Sequence, residues 1–151
     1  MNRISVASLS ISGVALIGLL VSEGYKDRAY IPVPGDVPTI GFGTTQNVRM
    51  GDTVTVPQAL NYAVRDVQKF EGAIKKCVKV PLYQYEYDAY TSLTYNIGEG
   101  AFCKSTLVKL LNQSNYSEAC KQILRWDKFQ GKPLRGLTIR REKEYAQCIG
   151  K

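Results

Sequence analysis

Residues 23–43 read EGYKDRAYIPVPGDVPTIGFG, and their second half decides the fold. Between positions 30 and 45, three prolines and three glycines alternate with β-branched residues, which predicts a small hairpin or three-stranded sheet. Everything around it is helical in pattern. Upstream lies an apolar run, residues 4–21. Downstream, Thr55 and Gln58 have the spacing of a capping box, and Leu60, Ala63, Val64, Val67, Phe70 and Ile74 carry a helix to about Lys76. Pro81 opens another helix through Leu82, Tyr85, Ala89, Leu93 and Ile97, stopped by Gly98 and Gly100. Short helices are expected over 102–112 and 117–126. A last helix carries Leu134, Leu137, Arg141, Tyr145 and Cys148 on one stripe. The class is therefore α+β and mainly helical, in one domain of residues 1–151 with a β lobe at 30–45 and a helical lobe at 55–148.

Composition narrows the chemistry. The chain has 151 residues, 44% hydrophobic and 22% charged, as expected of one compact globular domain. It contains no histidine, which excludes Ser-His-Asp and Cys-His catalysis and removes the commonest zinc ligand. A net charge of +7 favours an acidic partner: nucleic acid, anionic lipid or bacterial cell wall. No phosphate-cradling loop or nucleic-acid module is present, and the tyrosines at 83, 85, 87, 90 and 95 crowd one helix as packing residues do, so no nucleic-acid partner is expected. Cys77, Cys103, Cys120 and Cys148 include no CxxC pair. They read as two disulfides of an oxidising compartment or as four buried thiols. Cys148 lies on the buried stripe of the last helix, where it can meet Cys120 of the helix before. The pairing expected is Cys77–Cys103 and Cys120–Cys148.

Residues 4–21 contain no charge, twelve apolar side chains, four serines and two glycines. As a helix they span about 27 Å, just enough for a bilayer core. The run reads either as a weak membrane helix or as a buried helix of the fold, and the two can be successive states of one segment. Glu23 follows directly, so its carboxyl should sit at a helix end against hydrophobic side chains, where burial disfavours the ionised form. A protonated carboxyl can give its proton to a leaving oxygen, and Asp36 with Thr39 can hold a water across the turn. Inverting glycoside hydrolysis requires such a pair. Taken alone, Glu23 and Asp36 equally fit two solvated carboxylates, with Asp36 merely closing the Pro34-Gly35 turn.

Further motifs sharpen this. Glu23-Gly24, Tyr30 and Thr39-Ile40-Gly41-Phe42-Gly43, followed by Asp88-Ala89, Tyr95-Asn96-Ile97-Gly98, Ser105-Thr106-Leu107, Arg125-Trp126, Gly136-Leu137 and Arg140-Arg141, occur in an order that resembles the phage lysozyme-like endolysins, glycoside hydrolase family 24. The resemblance implies a two-lobed lysozyme-like fold and a muramidase that cuts the β-1,4 bond between N-acetylmuramic acid and N-acetylglucosamine. It also implies a cleft between the lobes, action on peptidoglycan in the host periplasm, a monomer, and no cofactor or metal. Glu23 becomes the general acid and Thr39 a positioner of water. Tyr30, Gly41, Asn96 and Gly98 are the candidate sugar contacts. The family aspartate does not carry over: at its spacing from Glu23 stands Pro32, and at its spacing from Thr39 stands Val33. Asp36, the carboxylate of the hairpin, takes the base role as an expectation. If Asp36 is only a turn residue, a lytic transglycosylase that uses the same Glu is the alternative; a non-catalytic wall-binding module is the other. Some members of the family carry a signal-arrest-release (SAR) segment that tethers the enzyme before release, and residues 4–21 resemble one.

Overall fold

A computed structural model describes all 151 residues. The chain divides into two compact units, one of Gly13–Lys69 and one of Met1–Ser12 with Phe70–Lys151.

The first unit contains helix α1 (Gly13–Glu23), strands β1 (Lys26–Tyr30) and β2 (Thr39–Gly41), and the leading part of α2 (Val56–Cys77). β1 and β2 are antiparallel, with Lys26 opposite Gly41 and Tyr30 opposite Thr39 and an irregularity between. The hairpin is thus two-stranded and begins earlier than the sequence pattern suggests. The residues Lys26-Asp27-Arg28 are exposed and give no apolar alternation to read. The capping box forms as expected: the Thr55 N–H donates to Gln58 Oε1 at 2.9 Å and the Gln58 N–H to Thr55 Oγ1 at 3.3 Å. Ile40, Val54 and Ala59 make the small core, flanked by Ala29, Phe42, Val48 and Tyr62. Thr44 Oγ1 donates to Asp66 Oδ2 at 2.7 Å, tying the chain after β2 to α2.

The second unit is helical: the end of α2, then α3 (Gln84–Ile97), α4 (Glu99–Cys103), α5 (Thr106–Asn112), α6 (Tyr116–Gln122) and α7 (Arg135–Cys148). Its core gathers Ile74, Leu82, Tyr87, Tyr90, Leu93, Phe102, Leu107, Leu111 and Ile123. Both expected disulfides are present, Cys77–Cys103 and Cys120–Cys148, with Cα–Cα distances of 5.6 and 5.7 Å. A second hairpin, β3 (Lys128–Phe129) with β4 (Lys132–Pro133), precedes α7. It turns on Gln130 and Gly131, both at positive φ (52° and 81°).

Residues 4–21 are not one helix. α1 takes only the second part, while residues 1–12 belong to the helical unit, with a 3-10 turn at Val6–Ser8 and an antiparallel bridge from Ile4 to Leu82. The break falls where Ser12 gives both its N–H and its hydroxyl to Asp88, and serine, a weak helix former, does little to oppose it. No helix of the structure is long and apolar enough to cross a membrane.

Candidate active site

Glu23 is the last residue of α1, and Gly24 follows at φ +71° with its N–H on Leu20 O at 3.1 Å. Only glycine adopts this left-handed helix end cheaply, and it turns the chain out of α1 directly into β1. The carboxyl is therefore held by the end of a helix instead of a loop. It is half-buried, with Oε1 shut off from solvent. Tyr25 pins the same turn: its hydroxyl donates to Val54 O at 3.1 Å and its ring lies 5.3 Å from that of Phe42.

Thr39 opens β2, is buried, and donates Oγ1–H to Val37 O at 3.1 Å, which fixes its rotamer. Two residues on, Gly41 is buried at φ +64°, and a Cβ there would stand 3.0 Å from Ala59 Cβ. The structure thus gives Gly41 a packing role: β2 runs so close to α2 that a Cβ at this position would require Ala59 to give by a few tenths of an ångström. Tyr30, half-buried, faces Thr39 across the hairpin, with the Lys26 ammonium 5.9 Å from its ring centroid.

Asp36 stands differently. It is exposed, its N–H donates to Val33 O at 3.0 Å, and its Oδ1 accepts the Val37 N–H at 2.8 Å. Its carboxylate closes the turn containing Gly35, which sits at φ +86°. This is the geometry of a turn residue, and it leaves Oδ2 directed by nothing that the turn requires.

Asn96 and Gly98 lie in the helical unit. Gly98, at φ +90°, ends α3 and starts α4. Asn96 is exposed on the last turn of α3, and its Oδ1 accepts from Arg141 Nη2. Arg141, fully buried, also donates Nε–H to Trp126 O at 2.8 Å and Nη1–H to Glu144. Glu144 in turn accepts from Ser92 Oγ at 2.8 Å and from Arg140 at 3.2 Å. This buried network was not legible as a network. Its one signal was Arg141 standing at an apolar position of the last helical stripe.

A half-buried carboxyl at a helix end, followed by a small hairpin bearing a fixed threonine, on a mainly helical chain, fits the lysozyme-like class of glycoside hydrolases. Residues 21–144 match the family described as Phage lysozyme, and the chain belongs to that family. It is 38% identical over 139 residues to the SAR-endolysin of Pseudomonas phage phiKMV, covering 89% of this chain and 86% of the relative. It is likewise 38% identical over 143 residues to the endolysin of Salmonella phage P22, covering 91% and 97%. Among solved structures, the endolysin from Escherichia coli O157:H7 phage FAHEc1 superposes with a TM-score of 0.81 at 34% identity, covering 95% of each chain.

Proposed function

We propose that the protein is a muramidase that hydrolyses the β-1,4 bond between N-acetylmuramic acid and N-acetylglucosamine in peptidoglycan. Glu23 is the general acid: it gives its proton to the glycosidic oxygen as the bond to the sugar carbon breaks. Thr39 orients the attacking water, and Asp36 is the candidate base that polarises it. The observation that carries this reading is the setting of Glu23, a carboxyl with one oxygen out of solvent at the end of a helix. The net charge of +7 suits a polymer bearing peptide carboxylates. The relatives named SAR-endolysins support action in the host periplasm after tethering through residues 4–21.

The test is digestion of purified peptidoglycan with mass analysis of the products. New reducing ends are expected; 1,6-anhydro ends would identify a lytic transglycosylase, and absence of products a binding module. Glu23→Gln keeps the shape and loses the transferable proton, so the rate should fall by about 10²–10⁴-fold. Asp36→Asn should slow hydrolysis markedly if the carboxylate polarises water, and leave it unchanged if it only closes its turn.

A further inference from the structure

Hydrophobicity does not explain why the N-terminus docks on the helical unit. Of residues 1–12, only Val6 and Leu9 are buried apolar side chains. Ile4 stays 50% exposed, and Val14, Ile17 and Val21, spaced along one side of α1, are 85%, 65% and 76% exposed. A bilayer would cover all of them, so the apolar contribution favours lipid over the docked state.

The docked state is held by polar contacts of an uncommon kind. Three carboxylates of the helical unit, Glu71, Glu86 and Asp88, are only 8%, 2% and 5% exposed. Each accepts from the N-terminal segment. Glu86 takes Arg3 Nε at 2.9 Å and Nη2 at 3.0 Å, while the guanidinium also lies over the rings of Tyr83 and Tyr116 (4.3 and 3.5 Å). Glu71 takes the Ile11 N–H at 2.7 Å, and Asp88 takes the Ser12 N–H at 2.9 Å and its hydroxyl at 2.7 Å. Gln84 Nε2 joins the two partners, donating to Ser10 O and to Asp88. Each carboxylate also accepts one donor from the helices, the Tyr87 hydroxyl on Glu71, the Tyr83 N–H on Glu86 and Gln84 Nε2 on Asp88, so the arriving segment supplies the remaining charge-assisted hydrogen bonds and covers the carboxylates from water.

We propose that Glu71, Glu86 and Asp88 form a catch that draws residues 3–12 out of the bilayer and holds them docked. The inference rests on the reading that residues 4–21 enter the inner membrane. Release is then a contest between lipid, which takes the apolar side chains, and the catch, which takes Arg3 and the amides of Ile11 and Ser12. The docked segment runs straight into α1, whose last residue is Glu23.

The experiment uses the full chain, expressed without a holin in a Gram-negative host and separated into membrane and soluble fractions. Wild type should occur in both. Asp88→Asn combined with Glu71→Gln keeps side-chain size and one acceptor oxygen but removes the charge. It should raise the membrane-to-soluble ratio about tenfold, because hydrogen bonds to ionised acceptors are the stronger ones. Arg3→Lys alters none of the three carboxylates and keeps the terminal charge, but it cannot fork across both Glu86 oxygens. It should shift the ratio in the same direction. In purified soluble protein, exchange of the Ile11 and Ser12 amide hydrogens should be faster in Asp88→Asn than in wild type. Wild type absent from membranes, or ratios and exchange unchanged in the variants, overturns the catch. Loss of peptidoglycan digestion by soluble wild type would instead overturn the muramidase reading and leave the fractionation result standing.

Discussion

Removing the Cys77–Cys103 bridge should lower the melting point of the chain by about 11 °C. The bridged residues are 26 apart in sequence, and those of Cys120–Cys148 are 28 apart. In the chain-entropy relation, closing a loop of this size restricts the unfolded chain by ~12 cal/mol/K, or ~3.5 kcal/mol at 25 °C. For a chain of 151 residues the unfolding entropy near the midpoint is about 0.32 kcal/mol/K, which converts that loss to the stated shift. The two bridges differ in setting, and this sharpens the test. Cys120 and Cys148 are buried in the core beside Tyr90, whose hydroxyl lies 3.7 Å from Cys120 Sγ, whereas Cys77 and Cys103 are half-buried. A mild thiol reductant should therefore open Cys77–Cys103 first, producing one intermediate with a single melting shift. Cys77→Ala with Cys103→Ala should reproduce that intermediate. Calorimetry of the variant and mass spectrometry of alkylated intermediates provide the measurement. A shift under about 3 °C, below the usual worth of a native bridge, or first alkylation at Cys120 and Cys148, would refute the reasoning.

Two further outcomes follow from single contacts. Gly41→Ala places a Cβ 3.0 Å from Ala59 Cβ at a positive φ, so it should destabilise the chain by about 2 kcal/mol in denaturant titration, and a neutral result would mean that β2 can move away from α2. Burial, then the hydrogen bond from its hydroxyl to Glu71 at 2.8 Å, holds the Tyr87 phenol far above its ordinary pKa of 10.0. The fold favours the neutral form, so this stabilisation is fully present below pH 10 and is lost as pH rises beyond it. Ultraviolet titration should show Tyr87 ionising only together with alkaline unfolding, an effect that Tyr87→Phe removes.

Features encoded by short-range pattern were legible in the sequence. Thr55 and Gln58 mark their cap because both partners lie within one turn. Cys120 and Cys148 could be paired because helical spacing fixes which face each occupies. The fate of residues 1–12 was not legible. Their partners Glu71, Glu86 and Asp88 lie 60 to 83 positions away, and nothing local reveals that those carboxylates are buried. An uncharged run was read by its hydropathy, while its serines and backbone amides decided where it went. The β3–β4 hairpin escaped for the opposite reason: strands of two residues are too short to show any alternation.

The same contrast between fixed and loose positions bears on the departure at Pro32. Precision in a site comes from rigid elements, and here the rigid positions are Glu23, held by a helix end and its left-handed glycine, and Thr39, held by a buried strand start. The seven positions between Tyr30 and Pro38 form a turn, half-buried only at Val33, that is closed by the Asp36 N–H on Val33 O and by the Val37 N–H on Asp36 Oδ1. Such a segment can absorb an added residue without disturbing either anchor, because the register is set at Tyr30–Thr39 and again at Lys26–Gly41. A proton donor must lie within hydrogen-bond reach of its acceptor, and a base within the same reach of its water directly or through one other water, so it is the base position that drift of the turn would expose. The turn is therefore where a family pattern can drift in length while Glu23, the proposed acid, and Thr39 stay in place, and the Asp36→Asn rate measures whether that drift touched the chemistry.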